Sequence, residues 1–418
     1  NPAIFTAVGN TLYFSATDGT NGYELWKSDG TASGTVMVKD INSGWSGSSA
    51  QYLTAVGNTL YFSALDGTNG QELWKSDGTA SGTVMVKNIN SGGNSVPSEL
   101  TAVGSTLYFR ANDGTNGQEL WKSDGTSSGT VMVKDINSGS GSSSPYELTA
   151  VGTTFYFRAN DGTNGQELWK SDGTASGTVM VKDIISGSGS GYPIHFTAVG
   201  NTLYFRATDG TNGVELWKSD GTASGTVMVK DIISGSGSGS PIDLTAVGNT
   251  LYFRANDGTN GQELWKSDGT ASGTVMVKDI NSGSGSSSPD DLTAIGNTLF
   301  FIADDGTNGD ELWKSDGTAS GTVMIKDIYS GSGGVFGSPY PDELTAVGNT
   351  LYFRADDGTN GEELWKSDGT ASGTVMVKDI RSGSSDGNPD WLSAIGNTLY
   401  FTANDGTNGE ELWKSDGT

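Results

Sequence analysis

The sequence predicts an all-β protein, a nine-bladed β-propeller with four-stranded antiparallel blades. One unit recurs nine times along the chain, and the copies are in register. Within each copy, turn residues separate short segments that favour strands. No segment shows helical periodicity over ten or more residues, which excludes helical repeats.

The repeat is marked by the string Glu-Leu-Trp-Lys-Ser-Asp-Gly-Thr, which occurs nine times. Successive copies of its tryptophan are 47 to 52 residues apart. Propeller blades carry four strands in roughly 40–50 residues, so this period is typical of a blade. The tryptophans are Trp26, Trp74, Trp121, Trp169, Trp217, Trp265, Trp313, Trp365 and Trp413.

One unit, residues 244–280, shows how the elements follow each other. Glycine-containing turn signals divide it, and these glycines supply the positive φ that hairpin loops require. A Ser/Gly-rich linker then leads to Pro289 and the next unit. The predicted strands are 244–248, 250–255, 263–267 and 274–280, separated by turns at 248–249, 257–261 and 268–273.

The two middle strands of each unit are apolar on both faces. Leu251, Tyr252 and Phe253 are consecutive, as are Leu264 and Trp265. A single four-stranded sheet cannot bury both of its faces, whereas sheets arranged around an axis cover one another. We therefore expect the repeated tryptophans to pack between blades; a role as exposed ligand platforms is the alternative.

We interpret residues 1–418 as one propeller domain. Its predicted blades are 3–41, 51–89, 98–136, 146–184, 194–232, 242–280, 290–328, 342–380 and 390–418. The fourth-strand motif occurs eight times, so the last blade lacks an outer strand within this sequence. A segment outside the sequence supplying that strand is one interpretation. An eight-bladed propeller with a surplus or swapped unit is the alternative fold.

The composition excludes some partners. The chain has 418 residues, 23 Lys and Arg against 48 Asp and Glu, and a net charge of -25. This balance argues against nucleic acid and anionic membranes, which select basic patches. No apolar run reaches 18 residues, so we predict no membrane insertion. Cysteine is absent, and the acidic Gly-rich composition is typical of an extracytoplasmic protein, secreted or on the cell surface, with a cytosolic protein as the alternative.

The repeated motif carries a resemblance to a known family. The string Glu-Leu-Trp-Lys-Ser-Asp-Gly-Thr, followed by Ala-Ser-Gly-Thr and a Val-Lys-Asp-Ile strand, resembles the ELWxxDGT repeat of bacterial secreted and surface proteins. The layout is also similar to highly repetitive propellers with WD40-like TolB blades. The resemblance covers nearly the whole chain and implies a propeller fold outside the cytoplasm. It implies no catalytic residues.

The sequence offers little for catalysis. It contains one histidine, His195, and no cysteine, so a catalytic nucleophile with a histidine base would depend on His195 alone. The carboxylates recur in equivalent copies, whereas an active site places different groups around one substrate. We therefore predict no enzymatic activity and no catalytic residues.

The turn between the second and third strands is a candidate calcium loop. Its Asp-Gly-Thr-Asn-Gly sequence is dense in the oxygen ligands that calcium prefers. The alternative is a glycine hairpin in which the Asp and Asn side chains bond their own backbone. Apart from calcium, no cofactor is expected. The candidate metal-binding residues are Asp18, Asp66, Asp113, Asp161, Asp209, Asp257, Asp305, Asp357 and Asp405.

The copies differ most in the linkers, which an up-and-down meander should place on one side of the propeller. Loops on a rigid scaffold often carry recognition, although neutral drift is the alternative explanation. The candidate ligand-binding residues there are Trp45, Tyr52, Tyr146, Tyr192, His195, Phe336, Tyr340 and Trp391.

These features together favour a non-enzymatic binding or adhesion scaffold. Its partner would be a protein or a carbohydrate, and the domain is expected to be monomeric. A multivalent lectin-like propeller, in which repeated weak sites raise avidity, is the first alternative. A structural spacer of a larger surface protein, without a ligand of its own, is the second.

Overall fold

The computed structural model describes residues 2–329 and 341–418, and each regular element in these ranges is a β-strand. No helix in this part of the chain has the length and apolar character of a membrane span. The candidate residues Phe336 and Tyr340 lie outside the described ranges. The chain forms two compact units, one reaching Ile194 and including Gly221–Ala223, the other comprising His195–Asp220 and Ser224–Thr418.

The first unit contains blades 1 to 4, each formed by four consecutive strands. In chain order they are β1 (Ala3–Val8), β2 (Thr11–Ala16), β3 (Glu24–Ser28), β4 (Val36–Lys39), β5 (Gln51–Val56), β6 (Thr59–Leu65), β7 (Gln71–Ser76), β8 (Val84–Lys87), β9 (Ser98–Val103), β10 (Thr106–Asn112), β11 (Gln118–Ser123), β12 (Val131–Lys134), β13 (Tyr146–Val151), β14 (Thr154–Asn160), β15 (Gln166–Ser171) and β16 (Val179–Lys182).

The second unit contains blades 5 to 9. Its strands are β17 (Ile194–Val199), β18 (Thr202–Thr208), β19 (Val214–Ser219), β20 (Val227–Lys230), β21 (Ile242–Val247), β22 (Thr250–Asn256), β23 (Gln262–Ser267), β24 (Val275–Lys278), β25 (Asp290–Ile295), β26 (Thr298–Asp304), β27 (Asp310–Ser315), β28 (Val323–Lys326), β29 (Asp342–Val347), β30 (Thr350–Asp356), β31 (Glu362–Ser367), β32 (Val375–Lys378), β33 (Asp390–Ile395), β34 (Thr398–Asn404) and β35 (Glu410–Ser415).

The fold is an all-β, nine-bladed propeller, as the sequence predicts. Each blade is an antiparallel meander in which neighbouring strands follow each other in the chain. Eight blades have four strands and blade 9 has three, β33, β34 and β35, among the described residues. The eight-bladed alternative is therefore wrong.

Blade 6 illustrates the register of a blade. On its middle strands Phe253 lies opposite Trp265, and their rings stack with centroids 6.5 Å apart. On the outer side Trp265 pairs with Met276 on β24. The register shifts by an irregularity between Leu264 and Trp265, where β24 leaves the regular ladder.

The core lies between neighbouring blades. Tyr252, Leu264 and Val277 of blade 6 pack with Phe301 and Trp313 of blade 7 in one buried cluster. Seven of the repeated tryptophans are only 5% to 6% exposed, which confirms that they are core residues. The tryptophans of the first and last blades are half-buried: Trp26 and Trp413.

Polar contacts also join successive blades. The ammonium of Lys278 donates to the carbonyl of Thr322 at 2.8 Å and lies 5.4 Å from the ring centroid of Trp313. The phenol of Tyr252 packs against Gly317, where a Cβ would lie 2.3 Å from its oxygen and where φ is +86°. The third turn therefore requires glycine at this position for two independent reasons.

Candidate ligand-binding site

In blades 1 to 6 and in blade 8, the linker runs beside the turn between the second and third strands, because an even number of antiparallel strands returns the chain to that end. In blade 1 the N–H of Ser48 donates to the carbonyl of Tyr23 at 2.9 Å. Gly22 and Gly47 touch closely enough that neither has room for a Cβ. We call this the linker end of a blade.

A buried glutamate fastens each linker to the third strand. The Glu24 carboxylate accepts the N–H of Ile41 at 3.1 Å, the N–H of Ser48 at 2.8 Å and the hydroxyl of Ser48 at 2.6 Å. Sequence analysis missed this role. A signal for it was present, because the invariant Glu of the repeated string directly precedes a Leu-Trp pair that is predicted to be buried. The fully or almost fully buried copies are Glu24, Glu72, Glu119, Glu167, Glu215, Glu263, Glu311 and Glu363.

Burial raises the pKa of these glutamates, and their linkers differ in the hydrogen bonds that they donate. The pKa of Glu167 and Glu215 is raised to about 7. In their linkers Gly191 and Gly239 stand where the linkers of blades 1, 2, 3 and 6 have a serine, so the carboxylate receives a backbone N–H but no hydroxyl from this position. The linker of blade 8 also has a glycine here, and burial raises the pKa of its glutamate, Glu363. Burial also raises the pKa of Glu311 to about 7.

The second residue of every inner strand has a left-handed backbone. Its φ lies between 54° and 60° although none of the nine residues is glycine. This conformation costs roughly 1–3 kcal/mol in a residue with a Cβ and often marks functional positions. The residues differ widely in chemistry: Ile4, Tyr52, Glu99, Glu147, His195, Asp243, Asp291, Glu343 and Trp391.

A second left-handed position lies three residues earlier, at the end of the linker. There φ lies between 45° and 49°. Tyr192 occupies this position in the linker before blade 5, where it is 54% exposed. The residues at this position are Ser49, Val96, Ser144, Tyr192, Ser240, Ser288 and Asn388.

The structure places the predicted ligand-binding residues in two settings. Trp45 is 84% exposed and lies in a linker, like Tyr192. The others lie at the first or second residue of the inner strands β5, β13, β17 and β33, directly after the linkers and not within them. These are Tyr52, Tyr146, His195 and Trp391.

In the first unit, the left-handed residues of neighbouring inner strands contact each other. The carboxylate of Glu99 accepts the N–H of Glu147 at 3.1 Å. Beside Glu147, the ring of Tyr146 lies 5.0 Å from the guanidinium of Arg158. Sequence analysis missed the two glutamates, although they stand at the same register as Tyr52 in otherwise invariant strands.

The second unit brings together more acidic residues at these positions. Asp291 accepts the N–H of Leu344 at 3.1 Å, and Glu343 accepts the N–H of Leu392 at 3.4 Å. Trp391, which is 43% exposed, directly precedes Leu392, the residue whose N–H Glu343 accepts.

Arginines on the second strands face the start of the inner strands. Arg254 lies 3.1 Å from the carboxylate of Asp243, and Arg354 forms two bonds with Asp342, including one from Nε at 2.7 Å. In blade 7 the arginine is replaced by Ile302, which lies opposite Asp290.

This replacement helps to create an acidic cleft of about 420 Å³ in the second unit. Asp290 and Asp310 line the cleft together with the inner-strand acids of blades 7 and 8, and Arg254 is the one basic residue among the described residues of its wall. Burial raises the pKa of Asp291, Asp310, Asp342 and Glu343. The cleft therefore suits a ligand group that is cationic or donates hydrogen bonds.

The candidate calcium loops use their carboxylates internally. Asp257 Oδ1 accepts the N–H groups of Thr259 and Asn260 at 2.9 and 2.8 Å, and Oδ2 accepts the amide of Asn260 at 2.7 Å. These bonds lower the pKa of Asp257 although partial burial acts in the opposite direction. Within residues 2–329 and 341–418 no group of three or more His, Cys, Asp or Glu is arranged to hold a metal ion. The equivalent bonds occur at Asp18, Asp66, Asp113, Asp161, Asp209, Asp305, Asp357 and Asp405.

Comparison with known proteins shows similarity to solved structures only. No family model matches the sequence, and no curated protein matches it. The crystal structure of the computationally designed Ika8 protein is similar over 88% of this chain and 96% of its own, with 17% identity and a TM-score of 0.47.

Two peptidases are also similar to this chain. Puromycin hydrolase matches with 12% identity and a TM-score of 0.45, over 96% of this chain and 58% of its own. Oligopeptidase B from Leishmania major matches with 12% identity and a TM-score of 0.46, over 88% of this chain and 53% of its own. The chain therefore spans little more than half the length of these peptidases.

Proposed function

We propose that this chain is a non-enzymatic binding scaffold whose ligands contact the linker ends of its blades. One observation carries the proposal: the left-handed backbone position of each inner strand is occupied by a residue that varies between copies. Tyr52, His195 and Trp391 are exposed there, and Tyr192 at the left-handed linker position, while the supporting strands are nearly invariant. A rigid scaffold with variable residues in strained conformations is typical of recognition surfaces.

The residue inventory supports binding without catalysis. His195 is exposed and is the only histidine of the sequence, which has no cysteine. The most strongly shifted carboxylates, such as Glu167 and Glu215, accept hydrogen bonds from linker backbone and have a structural explanation. We propose a protein or carbohydrate ligand, a setting outside the cytoplasm and membership of the ELWxxDGT repeat family, which the repeated motif supports.

A lectin-like propeller is the second candidate, because an exposed aromatic residue and an aspartate are neighbours at the start of an inner strand. Trp391 is 43% exposed and adjoins Asp390, whose carboxylate accepts the Trp391 N–H at 2.8 Å. Aromatic faces and carboxylates together suit a sugar, whose C–H faces stack and whose hydroxyls donate. Several such sites in one chain would add avidity.

The proposal is tested by screening the protein against a glycan array and a panel of extracellular proteins. Every hit is repeated with Trp391→Ala and Tyr192→Ala. Val275→Ala is the matched control, because Val275 is 37% exposed but lies on an outer strand. Loss of binding in the aromatic variants alone supports the linker-end site, and a glycan hit favours the lectin.

Binding that survives both aromatic substitutions would contradict the linker-end site. Absence of any ligand in both screens would favour a structural spacer.

A further inference from the structure

Arg158, on the second strand of blade 4, forms no ion pair with a carboxylate in the part of the chain that the structure describes. Its counterparts Arg254 and Arg354 pair with aspartates. Opposite Arg158 on the inner strand stands Tyr146, whose ring centroid lies 5.0 Å from the guanidinium carbon. The arginine is half-buried, and its guanidinium remains partly accessible beside this ring.

Blade 8 shows what an arginine at this position accepts. There Arg354 lies opposite Asp342 and forms two hydrogen bonds with its carboxylate, one of them from Nε at 2.7 Å. A planar guanidinium is suited to such paired bonds with a carboxylate. Because Tyr146 takes the place of the aspartate in blade 4, the N–H groups of Arg158 are left for the carboxylate of a ligand.

A second aromatic residue stands close to the same guanidinium. Tyr192 is 54% exposed, and its backbone is fixed by a φ of 47° and by its N–H, which donates to the carbonyl of Gln166 at 3.2 Å. Burial lowers the pKa of Arg158, while Glu147, Tyr146 and Tyr192 act on this pKa in the opposite direction, which requires them to lie near the charge. Two partly exposed rings beside a cation suit a ligand that has both a carboxylate and an apolar face.

The acids near this site do not exclude an anionic group. Glu99 and Glu147 occupy the left-handed positions of blades 3 and 4, and Asp291 and Glu343 occupy the same positions in blades 7 and 8. In blade 8 the carboxylate of Asp342 nevertheless pairs with its arginine. The net charge of -25 opposes anions at longer range, but physiological salt screens such repulsion beyond about 8 Å.

We propose that the linker end of blade 4 binds an acidic sugar of the uronic acid class. Its carboxylate pairs with Arg158, in the manner of Asp342 in blade 8, and its C–H face packs against Tyr146 and Tyr192. This inference rests on the proposed function, because it names the ligand class of one linker-end site.

The test titrates the full chain with three small probes and measures binding by ligand-observed NMR. Methyl glucuronide and methyl glucoside differ only in a carboxylate that replaces a hydroxymethyl group. We expect the glucuronide to bind at least about ten times more tightly, because a hydrogen-bonded charge pair forms only with the carboxylate. Acetate, the third probe, carries the charge without the ring and should bind more weakly than the glucuronide.

Two matched variants locate the site. Arg158→Gln should weaken the glucuronide about tenfold and abolish its advantage over the glucoside. Arg110→Gln removes the same charge at the same register of blade 3, where Ser98 replaces the tyrosine, and should leave the affinity unchanged. Circular dichroism establishes that both variants are folded. Equal effects of the two substitutions would overturn the proposal, because general charge would then explain the binding.

A third variant tests the geometry without removing the arginine. Tyr146→Asp rebuilds the aspartate–arginine pair of blade 8, so an internal carboxylate should occupy Arg158 and glucuronide binding should be lost. Undiminished binding in this variant would overturn the proposal.

The probes also separate this inference from the proposed function. Equal affinities for glucuronide and glucoside, both lost in Tyr192→Ala, would overturn the carboxylate and leave the linker-end site standing. Acetate that binds as tightly as the glucuronide would overturn the sugar. No binding of any probe would overturn the inference alone, since other ligands can still occupy the linker ends. Glucuronide binding that survives both Arg158→Gln and Tyr192→Ala would overturn the inference and contradict a linker-end site for this ligand.

Discussion

The hydroxyl of Ser287 donates to the buried carboxylate of Glu263 at 2.6 Å, and thereby joins a linker to the third strand of the preceding blade. Ser48, Ser95 and Ser143 make the same contact with their own glutamates. At Gly191 and Gly239 glycine replaces the serine, and burial raises the pKa of their glutamates to about 7. The residue at this position therefore decides whether the buried carboxylate accepts a hydrogen bond from a hydroxyl.

Ser287→Ala should destabilise the folded chain by about 1.5–3 kcal/mol at neutral pH, the usual contribution of a hydrogen bond to a charged group. It should also raise the pKa of Glu263 toward that of Glu215. Chemical denaturation measures the first effect, and carboxyl NMR titration the second. Ser284→Ala, at an exposed position of the same linker, is the control and should change neither quantity. Equal stability of the two variants would contradict the role of the hydroxyl.

Stability should fall as pH rises from about 4.5 to about 7, in part because of Glu215. Its folded pKa of about 7 exceeds the ordinary value of 4.5, so the folded state binds more protons in this window. Below pH 4.5 both states are protonated and this contribution is complete; above pH 7 it is lost. Glu215→Gln should flatten the slope of unfolding free energy against pH. Glu410→Gln should keep the wild-type slope, and identical slopes for all three proteins would contradict the prediction.

Trp265→Ala should destabilise the chain by about 3–5 kcal/mol, because removing a buried aromatic ring leaves a cavity between blades. Trp413→Ala is the matched comparison, since Trp413 has the same sequence neighbours but is half-buried. Its effect should be smaller. Denaturant unfolding monitored by circular dichroism measures both, and an equal or larger effect at Trp413 would contradict the prediction.

Tyr52→Gly should stabilise the chain by about 1 kcal/mol, because Tyr52 has φ of 54° and glycine adopts this conformation without a steric cost. Gln51→Gly is the control at the neighbouring exposed position, which has no left-handed backbone. It should destabilise the chain by about 0.5–1 kcal/mol, because glycine loses more conformational freedom on folding than glutamine does. Thermal melts compare the two. Destabilisation by both substitutions to the same extent would mean that the Tyr52 ring outweighs the backbone strain.

Added salt should stabilise the protein, because a net charge of -25 creates repulsion that folding must overcome. Screening predicts that sodium chloride and calcium chloride raise the melting temperature equally at matched ionic strength. A melting series in EDTA, in calcium and in sodium chloride tests this. A calcium-only rise at low concentration, abolished by Asp257→Ala, would instead identify the second turns as metal sites.

The candidate site was partly predictable from the sequence. Variation between copies directed attention to Tyr52, Tyr192, His195 and Trp391, and the structure places all four at left-handed positions. The variable acids at the same register, such as Asp291 and Glu343, were missed because an acidic residue at a strand start looks like an ordinary solvated charge. Their proximity depends on the packing of neighbouring inner strands.

By itself the sequence determined the number of blades, the order of their strands and the tryptophan core. These features follow from local patterns, because strand propensity, turn residues and a repeated period act within one unit of the chain. Only the tertiary structure decided which polar groups meet. The Glu24 carboxylate bonds residues 17 and 24 positions away, and Glu99 bonds the chain 48 positions away. Such contacts depend on how strands and blades pack, and no local pattern specifies them.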